Sequence, residues 1–184
     1  MKPQEFRALQ TARLDLKPLV ATFGFANEIF DIIDKNREYF KFMPWSDIKQ
    51  PEQEFDFLRG AEQKWKKQTT ANYGLFLRSD NSFVGVCSFM DVNWSNETGE
   101  IGYWLNPKFA RHGFMSEAVQ AIVQEFFNIG FKRIILKADI ENIPSCKTAE
   151  KCGFTREGIM KSYEFSKPLN RRQDVCLYAK INTK

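Results

Sequence analysis

The sequence predicts a mixed α/β domain, and three observations carry that prediction. Short runs of alternating apolar and polar residues recur along the 184 residues. Two of them, residues 100–105 and 133–139, flank a long amphipathic run and read as one strand–helix–strand crossover. Helix start and stop signals bracket the periodic segments, with Pro51 and Pro144 before two of them and Gly130 and Gly153 after two.

Taken in order, residues 11–20 (T-A-R-L-D-L-K-P-L-V) alternate until Pro18 and predict a first strand. Residues 26–33 and 51–67 predict helices, the second opening with Pro51 in its first turn. Between them lies an aromatic segment broken by Pro44. Residues 73–78 and 83–90 predict two strands separated by the turn signal S-D-N-S. Residues 100–105 predict a third, closed by Asn106-Pro107. In the run 116–129, Val119, Ile122, Val123, Phe126 and Phe127 share one helical face, and Gly130 stops it. A strand over 133–139, a short helix over 145–152 and strands over 155–165 and 174–180 complete the chain. There is no repeat, low-complexity segment or linker, so one domain over 1–184 is expected, with its core at about 11–182.

Composition narrows the class. The chain is 43% hydrophobic and 15% aromatic, with 18 Phe, enough for a large core and some aromatic surface for a ligand. The net charge of +4 is spread without a basic block, so no direct nucleic-acid contact is expected. Four cysteines without a C-x-x-C pair and one His give no zinc pattern and read as reduced buried thiols. The first residues lack an apolar leader, and no apolar run approaches the ~20 residues a spanning helix needs. A cytoplasmic chain that does not meet a membrane is therefore expected.

Several residues carry candidate chemistry. A strand leading through F-A-R-H-G-F-M-S into a helix makes an anion site, because the first helical N–H groups are free and carry partial positive charge. Gly113 permits close backbone approach there. His112, the lone imidazole, reads either as a base or as a loop side chain turned to solvent or phosphate. Alternation places Glu100, Gly102 and Trp104 on one strand face and Ile101, Tyr103 and Leu105 on the other. Pro107 cannot donate to a ladder, so pairing with the next strand is expected to fail near it. Glu100 reads as a proton acceptor or as a surface carboxylate paired with Lys or Arg. Asn142 and Ser145 read as a helix cap and a first-turn hydroxyl. Tyr39, Phe40, Phe42, Met43 and Trp45 read as a cap on the core.

These segments, G-E-I-G-Y-W-L-N-P, F-A-R-H-G-F-M-S-E-A, R-I-I-L-K-A-D and N-I-P-S followed by E-K-C-G-F, resemble the GNAT superfamily of acetyl-CoA-dependent N-acetyltransferases. Within it they resemble the RimJ/RimL branch, which acetylates protein N-termini. The resemblance runs from T-A-R-L-D-L-K-P-L to the last strand. It implies a GNAT fold: a mixed, mostly antiparallel sheet splayed at its centre, with helices on both faces. The strand at 100–105 is expected to be bulged and to part from its neighbour, admitting the pantetheine arm of acetyl-CoA. A backbone N–H near Trp104 or Leu105 would face the thioester carbonyl.

The resemblance assigns the pyrophosphate to the loop of Arg111, His112, Gly113, Phe114, Met115 and Ser116, although Ala110 stands where Gln or Arg is usual. It implies Glu100 as base; Asp174 is the rival carboxylate, which would otherwise orient substrate or hold structure. Asn142 would meet the pantetheine or acetyl group. Ser145 would protonate the leaving thiolate, since this helix lacks the Tyr that many members use. Lys151, and with it Lys147, would meet phosphate. N-R-x-x-x-x-x-x-P-W resembles the segment that walls the acceptor site, giving Phe42 and Trp45 as substrate contacts. The implied acceptor is a protein N-terminus, possibly ribosomal. A small-molecule amine and a non-catalytic cofactor-binding module are the alternatives. No metal is implied, and the chain is expected to be a monomer or homodimer.

Overall fold

The computed structural model describes residues 4–183. Eight strands form one sheet in the order β1-β2-β3-β4-β5-β6-β8-β7. Its strands are β1 (Leu9–Gln10), β2 (Leu14–Pro18), β3 (Ala71–Leu77), β4 (Phe83–Asn93), β5 (Thr98–Leu105), β6 (Arg133–Asp139), β7 (Thr155–Ser166) and β8 (Arg171–Ile181). Every neighbouring pair is antiparallel except β5 and β6, which the crossover helix joins in parallel. The helices are α1 (Phe23–Asp34), α2 (Pro51–Lys66), α3 (Phe114–Asn128) and α4 (Ile143–Lys151). The mixed, mostly antiparallel sheet with helices on both faces matches the expected architecture.

Two apolar layers sandwich the sheet. On one face Ala118, Val119, Ile122 and Phe126 of α3 pack against Phe89, Ile101, Leu136 and Tyr178. Phe89 stacks on Phe126 with ring centroids 3.6 Å apart. On the other face Ala26, Ile29 and Ile33 of α1 and Leu58 and Ala61 of α2 meet Phe83, Val86 and Trp104. Each fully buried side chain of this size contributes roughly 1.5–3 kcal/mol. All four cysteines are free and buried, as their apolar neighbours suggest.

Some boundaries move for local reasons. Helix α3 begins at Phe114, not at 116, because Gly113 takes a left-handed φ of 79° and turns the chain straight into the helix. Helix α4 begins at Ile143, not at 145. Pro144 sits inside the first turn, where a missing N–H costs nothing, and Asn142 caps the end by accepting from the Ser145 N–H. Strand β8 starts at Arg171, so the turn from β7 is shorter than its composition suggests. Strand β1 has two residues and leaves no periodic signal.

The sheet opens where the site needs it, but not where Pro107 would put the opening. Strands β5 and β6 pair only from Thr98↔Arg133 to Ile101↔Leu136. From Gly102 to Leu105, β5 pairs with β4 alone. The gap thus opens at Gly102, five residues before Pro107, which lies beyond the strand in a short 3₁₀ turn, Pro107–Phe109. The expected bulge lies on β4, not on β5. Asp91 and Val92 together oppose Gly99, and Asp91 has a φ of 49°. Bulges increase local twist, and this one lies just before the point where β5 and β6 part.

Candidate active site

Two cavities meet at the gap between β5 and β6. One, of about 560 Å³, lies on the α1–α2 face of the sheet. The other, of about 590 Å³, runs along the starts of α3 and α4. Phe42, Met43, Tyr103, Trp104, Asn142 and Ser145 line both. A molecule threaded through the gap would therefore touch these six residues at its middle.

The second cavity is an anion groove. Ala110, Arg111, Gly113, Phe114, Met115 and Ser116 line one wall, and Lys147, Thr148 and Lys151 the other. No side chain caps α3, so its first N–H groups face the groove with the positive end of the helix dipole behind them. A Cβ at Gly113 would find open space, with only Arg13 at 3.6 Å, so its φ is the reason for glycine. Arg13 braces the loop from outside: it donates to the His112 carbonyl, binds Glu117 and lies 4.5 Å over the Phe114 ring. The donors present suit a diphosphate. The main-chain edge of Gly102–Leu105 that faces away from β4 suits an extended amide-bearing arm.

His112 does not line the groove. Its Nδ1 lies 2.8 Å from the Ala110 carbonyl and its ring stacks on Phe114, the loop reading of the two offered by sequence. Leu105 lines the groove, as expected.

The first cavity is lined by carboxylates. Strand alternation places Glu100, Gly102 and Trp104 on its face, with Phe42 and Trp45 from the α1–α2 connection. Gly102 keeps the floor open, since a Cβ there would lie 2.5 Å from Met90 Cε. Glu100 is buried, and Lys137 Nζ sits 2.7 Å from its Oε2. Burial raises the Glu100 pKa against the pull of Lys137. Burial alone works against the Lys137 charge, but Glu100 and Tyr163 outweigh it and raise that pKa. Glu100 is therefore both a cavity carboxylate and a partner of Lys137.

Asp174 is not in the cavity. It sits one residue out of phase with Gln173 and Val175, which line it. Its carboxylate takes Lys161 Nζ at 2.7 Å and the Ser162 N–H at 2.9 Å. Asp174 thereby holds the β7 irregularity at Ser162, whose φ is 51°. That geometry leaves it neither as rival base nor as substrate contact.

Sequence reasoning missed several lining residues. Tyr103 reaches across the gap, with its Oη 3.0 Å from Ser145 Oγ and 3.2 Å from the Ser145 carbonyl. Burial raises its pKa. The signal for Tyr103 was present in its alternation, which put it on the helix α4 face. Glu54, Gln173, Lys137 and Glu164 also line the acceptor side. They come from four elements far apart in sequence, and no local pattern joins them. Among the described residues no cluster of His, Cys, Asp and Glu could hold a metal, and no helix is long and apolar enough to cross a membrane.

Comparison with known proteins agrees with this geometry. Residues 13–155 match the acetyltransferase (GNAT) domain. The ribosomal-protein-serine acetyltransferase of Escherichia coli is 35% identical over 103 residues, an alignment spanning 55% of this chain and 56% of that protein. The N-acetyltransferase p20 of Bacillus licheniformis is 27% identical over 77% of this chain and 78% of its own length. Among solved structures, RimL, a ribosomal L7/L12 alpha-N-protein acetyltransferase in complex with coenzyme A, superposes with a TM-score of 0.85. It is 25% identical over 95% of this chain and 98% of that one. The family match spans both the groove at the start of α3 and the parted strands beside it, and the chain belongs to the GNAT acetyltransferase family.

Proposed function

We propose that this acetyltransferase moves the acetyl group of acetyl-CoA onto a primary amine, by preference the α-amine of a protein N-terminus, in a ternary complex without an acyl-enzyme. The observation that carries the reading is the meeting of an anion groove and a carboxylate-lined cavity at one gap in the sheet. The cosubstrate supplies an activated acetyl thioester. The start of α3 and Lys147 and Lys151 hold its diphosphate, and the free edge of β5 from Gly102 orients its arm. Main-chain N–H groups near Trp104 and Leu105 stabilise negative charge on the thioester oxygen.

Glu100 accepts the proton of the attacking amine, directly or through water. Burial raises its pKa, which strengthens it as a proton acceptor. Lys137 fixes the carboxylate from one side. Ser145 donates a proton to the departing thiolate and takes one from Tyr103 through the hydroxyl contact at 3.0 Å, and water entering as coenzyme A leaves restores the Tyr103 proton. Phe42 and Trp45 wall the acceptor. Two of the three relatives named above are ribosomal-protein acetyltransferases, which supports a peptide N-terminus as acceptor. These features fit a protein that works in the cytoplasm.

One observation favours a second reading. Glu54, Glu100, Asp139 and Glu164 give the acceptor cavity an acidic lining, which would suit a small polar amine. Thiol release from acetyl-CoA with N-terminal peptides against free small amines separates the two. Faster turnover of peptides supports the first, and turnover confined to small amines replaces it. Cofactor binding without turnover of any amine would end both.

A further inference from the structure

Most polar groups of the acceptor cavity already have partners. Lys137 is held by Glu100 and Tyr163. Asp139 and Glu141 share Arg171. Ser88 Oγ donates to Asn72 Oδ1 at 2.7 Å. Glu164 of β7, half-buried, has no partner, and two deeply buried side chains also differ. Glu54, in the first turns of α2, is 5% exposed and faces the cavity, yet no hydrogen bond or ion pair reaches its carboxylate. Burial alone acts on it and pushes its pKa up to about 7. Gln173, on β8, is 1% exposed, and its Oε1 is buried without a donor.

The Gln173 amide cannot simply turn over to relieve this. Its Nε2 lies 3.4 Å from the Phe42 carbonyl, which can only accept, so the NH₂ belongs there and the oxygen faces the other way. The orphaned Gln173 group is therefore a hydrogen-bond acceptor, and so is Glu54 in its ionised form. Both line the same cavity, one from α2 and the other from β8. A buried carboxylate or amide oxygen without a donor is costly, and the cost is recovered when a ligand supplies the donor. The nearby cations are already committed, so the donor must come with the acceptor.

We propose that Glu54 and Gln173 form a specificity subsite that reads a second hydrogen-bond donor, a hydroxyl or an ammonium, carried by the acceptor near its reacting amine. This rests on the acetyl-transfer reading and names what that site selects. Such chemistry could come from the first side chain of a peptide, as in an N-terminal Ser, or from a small amino alcohol or diamine. An apolar replacement for that donor leaves the two acceptors unpaired, and sites of this kind discriminate strongly against such analogues.

The test measures kcat/KM by thiol release from acetyl-CoA for matched pairs of acceptors. One pair is a peptide beginning with Ser against the same peptide beginning with Ala. The other is 1,4-diaminobutane against butylamine. The unsubstituted protein should prefer the donor-bearing member of at least one pair by about tenfold or more. The pair that shows the preference identifies the source of the donor. In Glu54→Gln and in Gln173→Leu that ratio should fall severalfold or more towards unity. A merely structural role would lower both members of a pair in proportion and leave the ratio intact, which overturns the subsite. Equal use of both members by the unsubstituted protein also overturns it. No thiol release with any acceptor would instead overturn the acetyl-transfer reading beneath it.

Discussion

The two cavities that meet at the β5–β6 gap are built in different ways. The groove at the starts of α3 and α4 is a backbone site. Its donors are helix N–H groups, Arg111 and two lysines, and they come from two contiguous stretches around Gly113 and Ser145. The acceptor cavity is a side-chain site. Its polar groups come from α2, β3, β4, β5, β6, β7 and β8 and meet only because the register brings them together. A backbone site tolerates the exchange of Gln or Arg for Ala110, since the main chain does the binding. A side-chain site should be sensitive to single atoms.

The largest expected effect breaks that contrast at Glu100. Glu100→Gln keeps shape but removes the charge that Lys137 faces. Turnover should fall by about 10²–10⁴, the usual contribution of a positioned base. Coenzyme A affinity, measured by titration calorimetry, should hold, because Glu100 lies on the acceptor side. Unchanged turnover would remove Glu100 from the mechanism. Lost cofactor binding would show that the two cavities are not separable.

Next in size is a pH effect on stability at Glu54, whose carboxyl rises from an ordinary 4.5 to about 7 through burial. Between those values the folded chain keeps a proton that the unfolded chain has released. Stability should therefore fall as pH rises through that window and level off above it. The ceiling is about 3 kcal/mol. Denaturant unfolding at pH 5 and pH 8 should show a smaller loss for Glu54→Gln than for the unsubstituted protein. Comparing the two chains cancels the raised carboxyl of Glu100, which pulls in the same direction. Equal losses would mean that Glu54 is solvated.

This contrast also explains what the sequence could reveal. The crossover, the anion loop and the cap at Asn142 were legible because each is local: a period of two, a period of 3.6, a glycine before a helix, an Asn before Ser145. Glu100 was legible because its strand alternates. Glu54 was not, because on α2 it reads as one of several acidic residues of the first turns, beside Glu52. Its burial comes from tertiary packing at the cavity, which no helical period records. Asp174 misled for the complementary reason. A carboxylate in the last strand looked available, yet one step of strand phase turns it to Lys161 and Ser162. The gap itself was placed too late because Pro107 is visible in sequence and a bulge on the neighbouring strand is not.

On the backbone side, Gly113 sharpens the comparison. Gly113→Val has room for its side chain but must hold a φ of 79°. A β-branched residue there costs about 1–2 kcal/mol. Coenzyme A affinity should weaken roughly fivefold to thirtyfold, while kcat at saturating cosubstrate changes little. A large kcat effect with intact affinity would place the loop in the chemistry and not in binding.

The smallest expected effect lies where the two cavities meet. Tyr103 Oη touches both the Ser145 hydroxyl and the Ser145 carbonyl, and it has one proton to give. If that proton goes to the hydroxyl, Ser145 is free to direct its own at the thiolate, and the two act in series. A thiolate leaves readily, since free thiols have pKa ≈ 8.5, so Ser145→Ala should cost only severalfold, roughly 1 kcal/mol in the barrier. Tyr103→Phe should cost the same or less. Groups in series are not additive, so the double variant should be no slower than Ser145→Ala alone. A double variant slowed by the product of the two single effects would instead give each hydroxyl an independent role. Tyr103 would then join the cofactor wall as a contact of its own, leaving Ser145 to act without a relay.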